Sequence, residues 1–259
     1  MHTKDLFSLE GKCALVVGGA GKIGFPMAEA MAEAGAIVYI ASTSKENYEP
    51  AVANLVSQGL QSKGIHLDQS DEKNVKEVLR EIRADFKTPD VLINSGCNRP
   101  MTKFFEDDVE KWDESFATNA RGLFVLCRAF GNAMAEENVG SIINVSSIYG
   151  IVAPDMHIYE GSDFETEPDY PFLKGGAVMF SKYLASYYAK RGVRVNCIAP
   201  GGFDNNQPEP FLSKYKQKVP MGRMAYHDDM KGPALFLASD ASRYVTGAVI
   251  PADGGLTIV

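Results

Sequence analysis

Short apolar runs alternate along the chain with longer segments whose apolar residues recur at helical spacing. Cys13–Val17, Ile37–Ala41, Ile65–Leu67, Val91–Asn94, Ser141–Val145, Val193–Ile198 and Ala248–Pro251 read as strands. Between them, Phe25–Ala34 is rich in Ala and Met and stops at Gly35, a helix terminator. Asn74–Phe86 sets Val75, Val78, Leu79, Ile82 and Phe86 on one helical stripe. Val109–Ala135 predicts a long helix with an irregular start. Phe172–Arg191 predicts another, ending at Gly192, and Asp228–Ala238 a further one. Strand–helix alternation of this kind implies a parallel sheet with helices on both faces. The strands are almost wholly apolar, as burial on both faces demands. The expected fold is α/β: a doubly wound, mostly parallel seven-stranded sheet.

Two stretches break the rhythm, Asp155–Asp169 and Gly201–Pro220. Long insertions in compact domains serve as lids or binding loops, so substrate loops are expected at about 150–170 and 201–222. No linker, repeat or low-complexity stretch divides the chain, and residues 1–259 are read as one domain.

Composition narrows the function. The chain is 45% hydrophobic and 23% charged, which excludes a disordered or collagen-like protein. Its net charge of −7, with no basic block, disfavours nucleic acid and anionic membranes as partners. The apolar run Cys13–Gly21 is too short to span a bilayer and lacks signal-peptide flanks. Cys13, Cys97, Cys127 and Cys197 are widely spaced with no C-x-x-C, so reduced thiols in a cytoplasmic protein are expected, with no metal.

After the first strand comes Gly18-Gly19-Ala20-Gly21-Lys22-Ile23-Gly24. Gly19, Gly21 and Gly24 fit G-x-G-x-x-G; Gly18, Gly21 and Gly24 fit G-x-x-G-x-x-G. Glycines between a strand and a helix let the backbone approach a pyrophosphate, which the helix N-terminus then receives. A packing turn is the bland alternative, and the strand–turn–helix context favours a dinucleotide, hence a Rossmann unit. The second strand ends at Ser42-Thr43-Ser44-Lys45, with no acid before Glu46. An acid here usually holds the ribose 2′-OH of NAD. Hydroxyls with Lys45, and Lys22 nearby, suit a 2′-phosphate instead, so NADP(H) is favoured and NAD(H) stays open. Asp68, followed by Gln69, either accepts from the adenine amino group or caps a turn.

Tyr170 stands four residues before Lys174, and no other tyrosine has Lys at that spacing. The two share one helix face. A cation beside a phenol stabilises the phenolate, which could then exchange a proton with an alcohol. Ser146 and Ser147 end the fifth strand, at the sheet edge where open α/β proteins bind ligands. A serine there could polarise a carbonyl, and Asn119 could hold a water in a relay to the lysine. Local backbone hydrogen bonding is the bland role of each.

These residues, in this order, resemble the short-chain dehydrogenase/reductase family, in its short single-domain branch, over essentially the whole chain. Asn94-Ser95-Gly96 is similar to the family's loop after strand four, Pro200-Gly201 to its Pro-Gly after strand six. Thr246-Gly247 and Asp253-Gly254-Gly255 are similar to its C-terminal signature. The resemblance implies a catalytic tetrad of Asn119, Ser147, Tyr170 and Lys174. It also implies cofactor contacts at Asn94, Ser95, Gly96, Pro200 and Gly201. The implied activity is NAD(P)-dependent interconversion of a secondary alcohol and a ketone. Shorter strings, Ile158-Tyr159-Glu160-Gly161, Lys174-Gly175-Gly176 and Pro220-Met221-Gly222-Arg223-Met224, resemble dehydrogenases of bacterial flagellin-modification sugar pathways, implying a sugar or nucleotide-sugar substrate. Val17, Lys22 and Ile93 depart from the family pattern, Ile93 with a weaker hydrogen bond expected in the central sheet. Pro171 biases Tyr170 away from helical dihedrals and is expected to be the first helical residue. The Ser147–Tyr170 gap is longer than usual, the extra residues falling in 155–169.

The Asp155–Asp169 loop has acids and no Lys or Arg, whereas Phe211–Val219 carries Lys214, Lys216 and Lys218. The first favours a polyol or amino-sugar, the second an anion, and the sequence does not reconcile them. Cys97, Asn98 and Arg99 could line the pocket. Phe124, Phe130, Met179, Tyr183 and Tyr187 fall on helices through which the family pairs subunits, which implies a homodimer or homotetramer. An extended-branch epimerase or dehydratase is the alternative enzyme, disfavoured because little chain follows the last strand. A non-catalytic dinucleotide-binding regulator is the other alternative, disfavoured because all four tetrad positions are kept.

Overall fold

Seven strands run side by side in the order β3-β2-β1-β4-β5-β6-β7, and all six pairings are parallel. They are β1 (Cys13–Val17), β2 (Ile37–Ser42), β3 (Ser62–His66), β4 (Val91–Asn94), β5 (Gly140–Val145), β6 (Val193–Pro200) and β7 (Val249–Ala252). The computed structural model describes residues 2–163 and 165–259; Phe164, inside the expected loop 150–170, lies outside them. The doubly wound α/β architecture is as expected. Strand order reverses between β1 and β4, which places a ligand crevice at the carboxyl ends of these two strands.

Alternation of side chains across each strand divides the core into two layers. Leu15, Leu92, Ile142 and Val195 meet α3 (Glu72–Asp85), α5 (Leu123–Glu136) and α6 (Asp169–Tyr188) through Ile82, Phe130 and Tyr188. Val16, Ile93, Ile143 and Ile198 meet α1 (Gly24–Glu33), α2 (Lys45–Ser57) and α8 (Lys231–Ala238) through Met27, Leu55 and Leu237. Each fully buried side chain of this size contributes roughly 1.5–3 kcal/mol. A smaller cluster joins Ile148, Ile158 and Tyr159 to Phe211 and Tyr215 of α7 (Phe211–Lys218). Among the described residues no helix is long and apolar enough to cross a membrane.

The differences from expectation have local causes. β3 covers Ser62–His66 rather than Ile65–Leu67, because only Ile65 of this edge strand is buried and its apolar signal marks one end. α2 was not signalled at all: it is polar, contains Pro50 and buries only Ala51 and Leu55. α7 forms within a stretch read as structureless. The long helix of 109–135 is three pieces, α4 (Val109–Phe116), a π-helical turn over Ala117–Gly122, and α5.

α6 starts at Asp169, so Pro171 is not its first residue and Tyr170 is helical. Pro171 falls in the first turn, where its missing N–H costs little. Asp169 is 2% exposed and accepts a short hydrogen bond from Ser115 Oγ of α4. That buried contact holds the turn bearing Tyr170 against α4, and the proline's bias is overridden.

Candidate active site

The glycine turn is built for close backbone approach. Gly18 has φ +71°, and a Cβ there would lie 2.7 Å from Gly96 N, on the loop after β4. A Cβ on Gly24 would lie 2.2 Å from Gly18 O. Gly21 N–H closes the turn on Gly18 O at 3.0 Å. Ile23 precedes α1 with no side-chain cap, and Gly24 N–H is left for an anion, since Phe25 N–H is taken by Gly21 O at 2.8 Å and Pro26 has none. From this turn a cleft of about 540 Å³ runs past Ser42, Thr43, Asp68, Gln69 and Gly96. It matches the adenosine half of a dinucleotide site, and the glycine cradle fits a pyrophosphate.

The structure separates the other expected cofactor residues by what they hold. Ser42 and Thr43 line the cleft, but Lys45 reaches Glu49 at 3.2 Å, and Lys22 is exposed on the turn. Asp68 Oδ1 accepts from Ser70 N at 2.8 Å and Ser70 Oγ at 2.7 Å, so this aspartate shapes a turn while it borders the cleft. Gln69 Nε2 donates to Thr118 O at 2.7 Å and ties the β3 loop to the π turn. The Asn94 side chain is 5% exposed and donates to Asn144 Oδ1 at 2.7 Å, away from the dinucleotide cleft. That hydrogen bond joins β4 to β5 despite Ile93.

A second cleft, of about 310 Å³, gathers Ile23, Ser95, Ser147, Tyr170, Lys174, Pro200 and Gly201. Five elements therefore meet at one place: the glycine turn and the ends of β4, β5, β6 and α6. Ser147 lies two residues past the end of β5 and its Oγ accepts from Tyr149 N at 3.2 Å, leaving the hydroxyl proton free for the cleft. Ser146 Oγ instead donates to Lys174 O at 2.7 Å, so its proton is used. Lys174 Nζ donates to Val145 O at 3.0 Å and lies 5.5 Å from the Tyr170 ring centre. Asn119 sits in the π turn. Its Oδ1 accepts from Asn98 N at 2.9 Å, and its Nδ2 donates to Asn98 O at 2.6 Å and Ser115 Oγ at 3.1 Å. Ser115 in turn holds Asp169, beside Tyr170. A further cavity of about 20 Å³ lies between Asn119 and Lys174.

Tyr149 and Tyr159 also border this second cleft. Their hydroxyls bond each other at 2.7 Å, and Tyr159 donates to Thr166 Oγ1 at 3.2 Å. Burial pushes the Tyr149 phenol far above its ordinary range, with Tyr159 reinforcing it. A phenol so held neutral is a poor base.

Arg99, expected with Cys97 to line the pocket, does so and sets its guanidinium 4.5 Å from the Tyr170 ring centre. Sequence reasoning missed two features of the site. The Asp169–Ser115 contact left only one signal, an acid directly before Tyr170. The second is the pairing of the acidic loop with the lysine-rich segment. Lys214 Nζ donates to His157 O at 3.0 Å and Glu160 O at 2.9 Å, and Lys218 pairs with Asp155. The two opposing charge signals are partners, and neither alone describes the substrate.

Comparisons with known proteins identify the family. The family model described as Enoyl-(Acyl carrier protein) reductase, of the short-chain dehydrogenase/reductase group, matches residues 18–257. D-threitol dehydrogenase of Mycolicibacterium smegmatis is 34% identical, over 97% of this chain and 95% of its own. The 3-oxoacyl-[acyl-carrier-protein] reductase of Escherichia coli is 32% identical, over 97% of this chain and 100% of its own. A gluconate 5-dehydrogenase from Burkholderia cenocepacia, solved with NADP and tartrate, superposes with a TM-score of 0.90 at 27% identity, covering 100% of both chains. A Leptospira borgpetersenii short-chain dehydrogenase with bound NAD+ gives 0.86 at 32% identity, covering 99% of this chain and 96% of that one. The chain belongs to the short-chain dehydrogenase/reductase family. It is an NAD(P)-dependent oxidoreductase acting on CH–OH groups.

The latch between loop and lysines has a pH sense. Lys218, then the His157 N–H, holds the Asp155 carboxyl below its usual range. His157, then Lys214, does the same for Glu160. A depressed carboxyl pKa means the latch is intact above the ordinary carboxylate range and is lost as pH falls through the lowered value. Limited proteolysis of the 150–168 loop should therefore be slow at neutral pH and accelerate several-fold in Lys218→Ala and Lys214→Ala. Cleavage at the wild-type rate in both variants would show that the latch does not hold the loop.

Proposed function

We propose that the protein interconverts a secondary alcohol and a ketone on a small polyol or sugar acid, with Asn119, Ser147, Tyr170 and Lys174 as the catalytic set. The observation that carries this reading is the convergence of Ser147, Tyr170 and Lys174 on one cleft that also receives the end of the glycine turn. The nicotinamide, when bound, supplies the hydride donor or acceptor. Ser147 donates its free hydroxyl proton to the substrate oxygen. Tyr170 takes the alcohol proton in oxidation and returns it in reduction. Lys174, anchored on Val145, presents its remaining N–H groups to the ribose and to the proton path. Asn119 closes that path on the π turn.

Size and lining support the substrate class. The cleft of about 310 Å³ also receives the nicotinamide, and the space beside it suits a small molecule. Arg99, Gln207 and Glu165 give it a polar rim suited to hydroxyls and a carboxylate. The threitol and gluconate dehydrogenases among its relatives are named for substrates of this kind. The loops 150–170 and 201–222 cover the substrate on one Rossmann domain.

For the cofactor, Ser42 ends β2 and Thr43 follows it at the cleft, and the next acid along the chain, Glu46, takes the Ser44 hydroxyl at 2.7 Å. This supports NADP(H) over NAD(H). Lys45 would have to leave Glu49 to reach a 2′-phosphate, and the exposure of that pair means little is lost in the exchange. Assembly is supported by the outward row Phe124, Met179, Tyr183 and Tyr187, between 45% and 64% exposed. Phe130, expected on that face, is instead fully buried in the core.

Three measurements test this reading. Fluorescence titration should show tighter binding of NADPH than NADH, reversed in Ser42→Asp; equal dissociation constants in the wild type would remove the NADP preference. Tyr170→Phe should keep fold and cofactor affinity and lose roughly 10²-fold or more in turnover on a polyol or aldonate substrate. Retained turnover would show the assignment wrong, and Tyr149→Phe and Tyr159→Phe serve as controls. Light scattering should give a dimer or tetramer, and a monomer at micromolar concentration would contradict the paired-helix interface.

A further inference from the structure

The small cavity between Asn119 and Lys174 is bordered by a chain of amides whose orientation is set from one end. Ser181 Oγ donates to the backbone carbonyl of Ala177 at 2.7 Å. A hydroxyl has one proton, so toward Asn144 it is an acceptor, and Asn144 Nδ2 donates to it at 2.9 Å. This turns Asn144 Oδ1 to Asn94, whose Nδ2 donates to it at 2.7 Å and faces Cys127 Sγ at 3.4 Å. The carbonyl of Asn94 is thereby left at the far end. Asn94 Oδ1 is buried and has no hydrogen-bond partner among the described residues. Flipping the Asn94 amide would set two carbonyl oxygens against each other. Flipping the whole chain would take Ser181 off Ala177.

A buried acceptor without a donor carries the desolvation penalty uncompensated. Asn94, Asn119, Asn144 and Lys174 all line the cavity of about 20 Å³, enough for a single water. The lining is mixed, with Leu123, Val145, Leu173 and Ala177 beside these polar groups, and the polar groups offer a water the partners it requires. Lys174 Nζ gives one N–H to Val145 O and has two more to donate.

We propose that Asn94 Oδ1 is the fixed acceptor that holds and orients the water between Lys174 and Asn119. This makes Asn94 a positioning residue, and the assignment rests on the proton-relay reading above. The water donates one O–H to Asn94 Oδ1 and accepts an N–H from Lys174. When a proton arrives from Lys174, the one that leaves is carried by the other O–H past the π turn and released to solvent water, so the bound water ends neutral. The bond to Asn94 is kept throughout, so charge and protons balance at the water. A neutral amide is suited to this position because it removes rotational freedom from the water without a charge that would hold the proton in place.

The test compares Asn94→Leu with Asn144→Leu, both near-isosteric and both breaking the same β4–β5 hydrogen bond. Asn94→Leu should lower kcat about tenfold or more and enlarge the solvent deuterium isotope effect, with KM and cofactor affinity unchanged. Asn144→Leu should lose comparable thermal stability yet keep more of kcat, because the Asn94 carbonyl is still present and can turn to the water, although Asn144 no longer fixes its orientation. Equal losses of kcat in the two variants, tracking stability, would make Asn94 merely structural. A high-resolution crystal structure of the wild type should show a water within hydrogen-bond distance of Asn94 Oδ1. A dry cavity, or Lys174 Nζ bonded directly to Asn94, would overturn the assignment while leaving Tyr170 untouched. Full turnover in Tyr170→Phe would instead sink the relay and leave the crystallographic water standing.

Discussion

The contact on which the site depends is the approach of two backbones, Gly18 after β1 and Gly96 after β4. No side chain fits between them, since a Cβ on Gly18 would stand 2.7 Å from Gly96 N. The approach occurs where the strand order reverses, so two loops that would otherwise diverge are held together over one crevice. Gln69 seals the same place from the third side, with its amide on Thr118 O and its side chain against Gly96 and Gly122. The dinucleotide cleft, the π turn with Asn119 and the loop with Arg99 are positioned from this junction. A parallel sheet alone would give the crevice; the glycines give it the depth a pyrophosphate needs.

Much of this was legible from residues. The strands that lie at the sheet centre are apolar on both faces, and their runs marked β1, β4, β5 and β6 closely. The glycine turn and the Tyr170–Lys174 spacing were readable because their chemistry requires adjacent positions in one element. What escaped reading depends on contacts between distant segments. α2 buries two side chains, and its polar surface and Pro50 conceal the helical period. Pro171 gave the wrong start for α6, because a local dihedral bias was weighed without the buried Asp169–Ser115 hydrogen bond that opposes it. Phe130 was placed with the exposed aromatics of its helix, though one position on such a face can turn inward. The amide chain from Ser181 to Asn94 spans β4, β5 and α6, and no spacing rule connects those three positions.

Charge is the case in which sequence reasoning set a problem that only folding solves. The acidic 155–169 loop and the lysines of 211–219 argue for opposite substrates when each is taken as facing the pocket. In the folded chain their charges meet, Lys214 at Glu160 and Lys218 at Asp155. Both pairs are partly exposed, so each adds little to global stability. Their effect is geometric: α7 and the loop before Tyr170 are joined as one cover, packed on Tyr159, Phe211 and Tyr215. The electrostatics of the reacting centre are thereby left to Arg99, Lys174 and Glu165. A mixed rim of this kind would favour a substrate with several polar groups at fixed spacing, since a single charge would be attracted by one side and repelled by the other. That is the physical argument behind proposing a polyhydroxylated acid rather than a simple alcohol.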